Sequence, residues 1–402
     1  MNRLKVAVSS TYLDAGASAA RALQRTGHEV VGIDSGRLIL GLHTRFCLRQ
    51  YSISATDALG YQQELLDIIE SEKPDVFLPL GTQFTGAALA IRERLERSTR
   101  MNIPPVEAYQ RAYRKDVCVS ECARHGVPHP RVYSLEAAVK YLSSGRGRQL
   151  VVKPSVDVGG AQGVSYVSET RTLHAAFHRC LTKFGGALIQ DYVPGDASHM
   201  RTALLLFDAQ SRLAAAFTTR KRRQWPHTGG ITALGESTHD AVVVDQLVPM
   251  LESWGWRGAA EIELKQDPRD GRCKVIEINP RFPAYLRLAY HCGLNLPALA
   301  VDLAMGASAP AGGPLLGQAG RFFCSPTVYA RAVCSDLARH GLTVGRIHAV
   351  ARELRLAGPL LLEQFSDPAP LLGRAITDAL ALRPRVEHSK VEVETAASEI
   401  AA

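Results

Sequence analysis

Glu263, Glu277 and Asn279 are the residues whose types and spacing speak most directly of chemistry. Glu263 lies in Ala260-Glu-Ile-Glu-Leu264, and the other two lie in Val275-Ile-Glu-Ile-Asn-Pro-Arg281. Both runs alternate apolar and polar residues, and Asp267-Pro-Arg-Asp-Gly-Arg272 joins them with pairing breakers, so the spacing predicts a β-hairpin. One face of that hairpin carries Glu263, Glu277 and Asn279. Hard oxygen donors in such a small set suit a magnesium ion that takes its remaining ligands from substrate phosphates. The chemistry this suggests is the presentation of a metal-bound nucleotide to a second reactant.

Two further segments fit that chemistry. Lys153 ends the apolar strand pattern Leu150-Val-Val-Lys153 and is followed by the small-residue loop Gly159, Gly160, Ala161, Gln162 and Gly163. Glycines let backbone amides close on phosphate oxygens, and the lysine adds a point charge for the same phosphates. The segment is not a Walker loop, because it lacks G-x-x-x-x-G-K-[ST] and leads into a strand. Downstream, Arg220-Lys-Arg-Arg223 is a run of four cations ahead of Trp225-Pro-His-Thr-Gly-Gly230. Arg220 and Arg222 alternate onto one strand face and are candidates to meet the nucleotide or a carboxylate substrate.

The elements that must position these residues follow from periodicity. Lys5 to Val8, a small-residue helix from Ala17 to Arg25 and the strand His28 to Asp34 make a βαβ unit. A helix from Gln62, a strand near Val76 and a helix from Ala87 to Arg97 continue a parallel, doubly wound pattern to about Asn102. The loop Ser9 to Gly16 lacks G-x-G-x-x-G, so Asp34 reads as the polar end of a strand and not as a dinucleotide ribose acceptor. Ile103-Pro-Pro105 is a natural linker, followed by one helix from Ala108 to Gly126. No Ser or Cys stands in a nucleophile context beside His125, His227 or His291, which gives a hydrolase no support.

The order of these parts resembles the ATP-grasp superfamily, and within it the bacterial carboxylate-amine ligases. The resemblance rests on Arg114-Lys-Asp116, Gly126-Val-Pro-His-Pro130, Val152-Lys-Pro154 with its glycine loop, Leu188-Ile-Gln-Asp-Tyr-Val-Pro-Gly195, and Glu277-Ile-Asn-Pro-Arg281, in that sequence. It implies an α/β and α+β protein. A Rossmann-like pre-ATP-grasp domain would occupy residues 1–104 and an ATP-grasp domain 105–310, with a lid at about 128–190. A C-terminal α+β extension would fill 311–384, and 385–402 would be a flexible tail.

By position, Lys115 and Lys153 correspond to the family's phosphate-binding lysines, and Gly159 to Gly163 to the loop over the β and γ phosphates. Gln190, Asp191, Tyr192 and Val193 match the adenine hinge, where the hinge acid of relatives falls on Asp191 or its neighbour Gln190. Relatives hold the ribose with an acid where this chain has Ala197, and Asp196 stands beside it. Glu263, Glu277 and Asn279 fall on the metal ligands, and Arg281 on the arginine that steadies the transferred phosphoryl group.

The implied cofactors are ATP and a pair of Mg²⁺ or Mn²⁺ ions. The implied reaction activates a carboxylate as an acyl phosphate and passes it to an amine, with an amino acid or small peptide as substrate. A small-molecule kinase and a non-catalytic nucleotide-binding protein are the alternatives. A homodimer is the family's habit.

Composition agrees with an enzyme of small molecules. The 402 residues are 46% apolar, enough for more than one core, and carry a net charge of +8. That excess, without a nucleic-acid-binding motif, fits anionic small molecules and argues against nucleic acid as a partner. Eight cysteines show no paired C-x-x-C spacing, and no run approaches the about 20 apolar residues of a membrane span. Reduced thiols and a cytoplasmic, membrane-free protein are expected.

Overall fold

The computed structural model describes residues 3–36, 44–145, 147–158, 162–227 and 229–373. Gly159, Gly160 and Ala161 of the expected phosphate loop lie outside the described residues. So do positions 374–384 of the expected extension and the tail at 385–402.

The chain forms two compact units. The first gathers the described residues of Met1–Ile103, Pro297–Ala307 and Asp367–Ala402. Its sheet contains β1 (Lys5–Ser9), β2 (Glu29–Ser35), β3 (Arg49–Ile53) and β4 (Val76–Leu78), all parallel, in the order β3-β2-β1-β4. Central strands of a parallel sheet are covered on both faces, which is why Val6, Ala7, Val8, Val30, Val31 and Ile33 are all buried. Asp34 is also buried, accepting from the Thr11 hydroxyl at 2.5 Å and from the Tyr12 amide at 3.3 Å. It pins the loop after β1 to β2. Gly16 is required in the helix Asp14–Arg25, because a Cβ there would lie 2.2 Å from the Ser10 carbonyl oxygen. The helix expected from Ala87 to Arg97 is instead Thr82–Ala90 followed by the short turn Arg92–Leu95, broken where Ile91 leaves helical geometry.

The second unit comprises Pro104–Leu296 and Ser308–Ser366. Its smaller sheet has the antiparallel order β5-β8-β6-β7, from β5 (Val132–Tyr133), β6 (Leu150–Pro154), β7 (Ser165–Val167) and β8 (Ala187–Asp191). Leu173, Ala176 and Cys180 of the helix Thr170–Phe184 pack with Leu150, Val152 and Ile189 in its core.

The larger sheet contains β9 (Met200–Phe207), β10 (Leu213–Trp225), β11 (Ile231–Thr238), β12 (Gly258–Gln266), β13 (Cys273–Asn279), β14 (Leu315–Leu316) and β15 (Phe322–Cys324). It runs β13-β12-β9-β10-β11-β15, with β14 beside β10. Leu205, Phe207, Trp254, Trp256, Ile262 and Val275 belong to one continuous core. Residues 308–366 join this unit: β15 pairs with β11, and the helices Pro326–His340 and Val344–Phe365 add Val328, Tyr329 and Ala357 to a core with Ala233 and Leu234.

The single helix expected from Ala108 to Gly126 is two helices, Val106–Tyr113 and Lys115–Arg124. Arg114 between them is extended (φ −87°, ψ 104°) and bridges Val156, while the Lys115 amide donates to the Ser155 carbonyl at 2.7 Å. Helix propensity is favourable across the break, but pairing with the chain just after β6 overrides it. Lys115 thereby becomes the first residue of its helix, beside the end of β6.

The turn between β12 and β13 is built on Asp267, whose side chain is fully buried. It accepts from the Arg269 amide at 3.0 Å, from Arg269 Nε at 2.8 Å and from Lys274 Nζ at 2.6 Å. Arg269, opposed by burial and joined by Lys274, holds this carboxyl below its usual range. Asp267→Asn is therefore expected to cost about 2 kcal/mol at neutral pH. A depressed carboxyl contributes stability that is present above its unfolded value of 3.8 and lost as pH falls further, so the gap between variant and parent should narrow on acidification. Denaturant melts at pH 7 and pH 3 check both statements.

Candidate active site

The register of β12 against β13 sets Glu263 opposite Glu277 and Glu261 opposite Asn279. Successive strand residues point to opposite faces, so Glu261 and Glu263 share the face that carries Glu277 and Asn279. Each of the three carboxylates meets a cation from a different place in the chain. Lys115 Nζ lies 3.2 Å from Glu277, Lys221 Nζ lies 3.3 and 3.2 Å from the two oxygens of Glu263, and Arg281 Nη1 lies 2.7 Å from Glu261. Lys153 joins them from β6, donating to the Ile276 carbonyl of β13 at 3.0 Å. Asp157 comes within 3.9 Å of Lys115.

The electrostatics follow from burial set against these neighbours. Burial favours the neutral acid of Glu277, but Lys115 and Lys153 outweigh it and hold the carboxyl at about 2. Burial, with Lys115 nearby, brings the Lys153 ammonium down to about 8. Burial pushes Glu261 up to about 7 against the pull of Arg281. The site thus holds one carboxylate that is ionised throughout the working range and another that is poised near neutrality.

The other residues singled out from the sequence are placed as follows. Arg220 and Arg222 both converge on Glu236, at 2.8 and 2.6 Å, and the cation that reaches the hairpin is Lys221 between them. A register shift between Lys221 and Arg223 interrupts the strand, so simple alternation does not describe the run. Gly163 has φ 74°, and a Cβ there would lie 2.6 Å from Phe184 and 2.8 Å from Pro154, so only glycine fits. Gln162 is exposed.

Gln190, in β8, and Val193, just after it, are buried. Asp191 accepts from the Tyr133 hydroxyl at 2.8 Å, and Tyr192 lies edge-on to Tyr166 with ring centroids 5.7 Å apart. Lys265 Nζ sits 5.1 Å from the Tyr192 ring centroid. Asp196 caps the short turn Ala197–His199, accepting from Ser198 and from the His199 ring.

Glu261 and Lys221 are site residues that the sequence reading passed over. Glu261 could have been found from its two-residue spacing to Glu263. Tyr285 is a third: burial and then Glu261 raise its hydroxyl well above the usual range, which places it near the same carboxylates.

Glu263, Glu277 and Asn279 are hard oxygen donors of the kind that suit Mg²⁺ or Mn²⁺. No group of three His, Cys, Asp or Glu side chains able to hold an ion unaided occurs among the described residues. The donor set fits an ion whose coordination is completed by a ligand such as a phosphate. Among the described residues no helix is long and apolar enough to cross a membrane.

No protein-family model matches the chain. Among curated proteins it is similar to the large chain of carbamoyl phosphate synthase from Deinococcus radiodurans, 24% identical over 319 residues that make up 75% of this chain and 30% of that one. It is also similar to D-aspartate ligase from Enterococcus faecium, 30% identical over 96 residues, 23% of each. The chain thus spans less than a third of the length of these curated relatives.

Solved structures resemble it over a larger share of their own length. Biotin carboxylase from Campylobacter jejuni, in a complex with β,γ-ATP, superposes with a TM-score of 0.63 at 17% identity, covering 77% of this chain and 72% of that one. The biotin carboxylase domain of 2-oxoglutarate carboxylase from Hydrogenobacter thermophilus, with MgADP and bicarbonate, gives 0.65 at 15% identity, covering 80% and 74%. L-amino acid ligase from Bacillus licheniformis gives 0.56 at 15% identity, covering 77% and 76%. The chain has the ATP-grasp fold, preceded by a Rossmann-like parallel unit and completed by C-terminal helices.

Proposed function

We propose that this chain is an ATP-dependent ligase that joins a carboxylate to an amine through an acyl phosphate, releasing ADP and phosphate. The observation that carries the reading is the convergence of Lys115, Lys153 and Arg281 on the Glu277 and Asn279 end of the hairpin. Phosphoryl transfer asks a protein mainly for positioning and charge neutralisation, and this cluster offers both.

Lys115 and Lys153 neutralise the phosphates, and Gln190 to Val193 receive the adenine, with Asp196 near the ribose. Glu277 and Asn279, on the face they share with Glu263, hold the divalent ion, which supplies further neutralisation when bound. Arg281 presents a guanidinium suited to two parallel bonds with the transferred group.

In the first step a substrate carboxylate oxygen forms a bond to the γ-phosphorus as the bond to the β-phosphate oxygen breaks, giving acyl phosphate and ADP. In the second, the amine nitrogen bonds to the acyl carbon, phosphate leaves with the carboxylate oxygen, and the amine proton passes to solvent or base. D-aspartate ligase and L-amino acid ligase among the relatives favour an amino acid or small peptide as substrate. The likeness to biotin carboxylases supports a second reading, in which bicarbonate is the activated carboxylate.

Incubation with ATP, amino acids and dipeptides, with and without hydroxylamine, tests the proposal. ADP release that depends on an amino acid, with hydroxamate when hydroxylamine is present, is the expected result. Dependence on bicarbonate alone would favour carboxylation, a stable phosphoester would mark a kinase, and no ADP in any mixture would overturn the reading.

The depressed Lys153 predicts a pH dependence. Its ammonium charge is lost as pH rises through about 8, so affinity for a non-hydrolysable ATP analogue should fall on the order of tenfold between pH 7 and pH 9. Lys153→Arg keeps its charge throughout that range and should flatten the profile. Calorimetric titration at three pH values measures both.

A further inference from the structure

We propose that Lys221 occupies the place of a second metal ion, so that the site takes one divalent cation, carried by Glu277 and Asn279, while Glu263 stays paired with the lysine. The inference rests on the nucleotide-binding reading above and departs from the two-ion count that the family resemblance implies.

The three ion pairs of the hairpin face differ in how readily they can open. Arg281 keeps 30% of its side chain exposed, and Lys115 keeps 11% and has Asp157 as a second acid within 3.9 Å. Lys221 keeps 2%. Its ammonium also donates to the Gly230 carbonyl at 3.0 Å, so with both oxygens of Glu263 its three N–H donors are engaged.

Removing Glu263 from it would leave an uncompensated buried charge, a state that proteins avoid at considerable cost. The lysine is moreover carried by β10, which is hydrogen-bonded to β9 on one side and β11 on the other, so the strand cannot swing aside as a loop does.

A two-metal site needs ions about 3.5–4 Å apart and carboxylate oxygens to hold both. Here Glu263 gives both of its oxygens to an ammonium, and Glu261 gives one of its own to Arg281. On Glu277, Lys115 approaches Oε2, and among the described residues Oε1 meets only the long 3.5 Å contact from Asn279 Nδ2. The hairpin face therefore has a ready position for a single ion, at Glu277 Oε1 and the Asn279 amide oxygen. Where a second ion would bring two positive charges, Lys221 places one ammonium against Glu263.

Counting Mn²⁺ by electron paramagnetic resonance in the presence of a non-hydrolysable ATP analogue tests this without any need for turnover. The expected result is a single nucleotide-dependent Mn²⁺ in the wild type and a second in Lys221→Met. Two ions in the wild type would overturn the proposal, as would an unchanged count in the variant. Should Lys221→Met fail to fold, Lys221→Arg decides: its retained charge must keep the count at one, and a second ion overturns the proposal. No nucleotide-dependent Mn²⁺ binding at all would overturn the nucleotide-binding reading together with this one, whereas two ions overturn this one alone.

Discussion

Glu277→Gln is expected to lower ADP formation by on the order of 10³-fold while the chain keeps its fold. The substitution preserves shape and removes one charge. That charge is present at every working pH, because Lys115 and Lys153 overcome burial and hold the carboxyl at about 2. In the proposed reaction, loss of the charge takes away an ion ligand, and among the described residues it leaves Lys115 with the more distant Asp157 as its acidic partner.

The stability cost should be about 1–2 kcal/mol, below that of a fully buried pair, since the Glu277 side chain keeps 27% exposure. A carboxyl with a lowered value contributes stability that is present above its unfolded 4.5 and lost as pH falls toward about 2, so the difference between variant and parent should shrink across that window. Circular dichroism, melts and ADP release measure the three parts. Full activity in the variant would remove the hairpin from the reaction.

Arg281→Ala carries the second large effect. Activity should fall on the order of 10²- to 10³-fold, and Arg281→Lys should recover little of it, because an ammonium cannot reproduce two parallel guanidinium bonds. Stability should change in a pH-dependent way through Glu261. Burial already pushes that carboxyl up to about 7 against the pull of Arg281, and without the guanidinium it moves higher.

A raised carboxyl contributes stability that is full below the unfolded value of 4.5 and declines as pH rises through the folded value. Arg281→Ala should therefore lose more stability at pH 8 than at pH 5.5, by denaturant melts. Equal losses at both pH values would mean that the contact at 2.7 Å does not govern the Glu261 charge.

How far the site was legible in the sequence depended on whether a feature is local. The β12–β13 hairpin could be read because proline, glycine and alternation are short-range signals, and its register then brings Glu263 opposite Glu277 without further information. Lys153 could be read from its place at a strand end. Lys221 could not be separated from Arg220 and Arg222, because the choice among adjacent cations is made by the partner strand and by a register shift after Lys221.

The break at Arg114 was hidden for the same reason. Its partner, Val156, is distant in sequence, and the residues on either side favour one helix. The merging of residues 308–366 with the second unit depends on β15 finding β11, a pairing of distant segments that no periodicity announces. The parallel order of the first sheet was visible in the alternation of strands and helices, although β3 left no signal strong enough to be placed beside β2.

The central claim is that a substrate carboxylate takes the γ-phosphoryl group of ATP at the face formed by Glu263, Glu277 and Asn279. Transfer of oxygen-18 tests it most directly. With the carboxylate substrate labelled in its carboxyl oxygens, the account predicts one labelled oxygen in each phosphate released alongside ADP and amide product. Product formed with unlabelled phosphate, or with AMP and pyrophosphate in place of ADP, would contradict it.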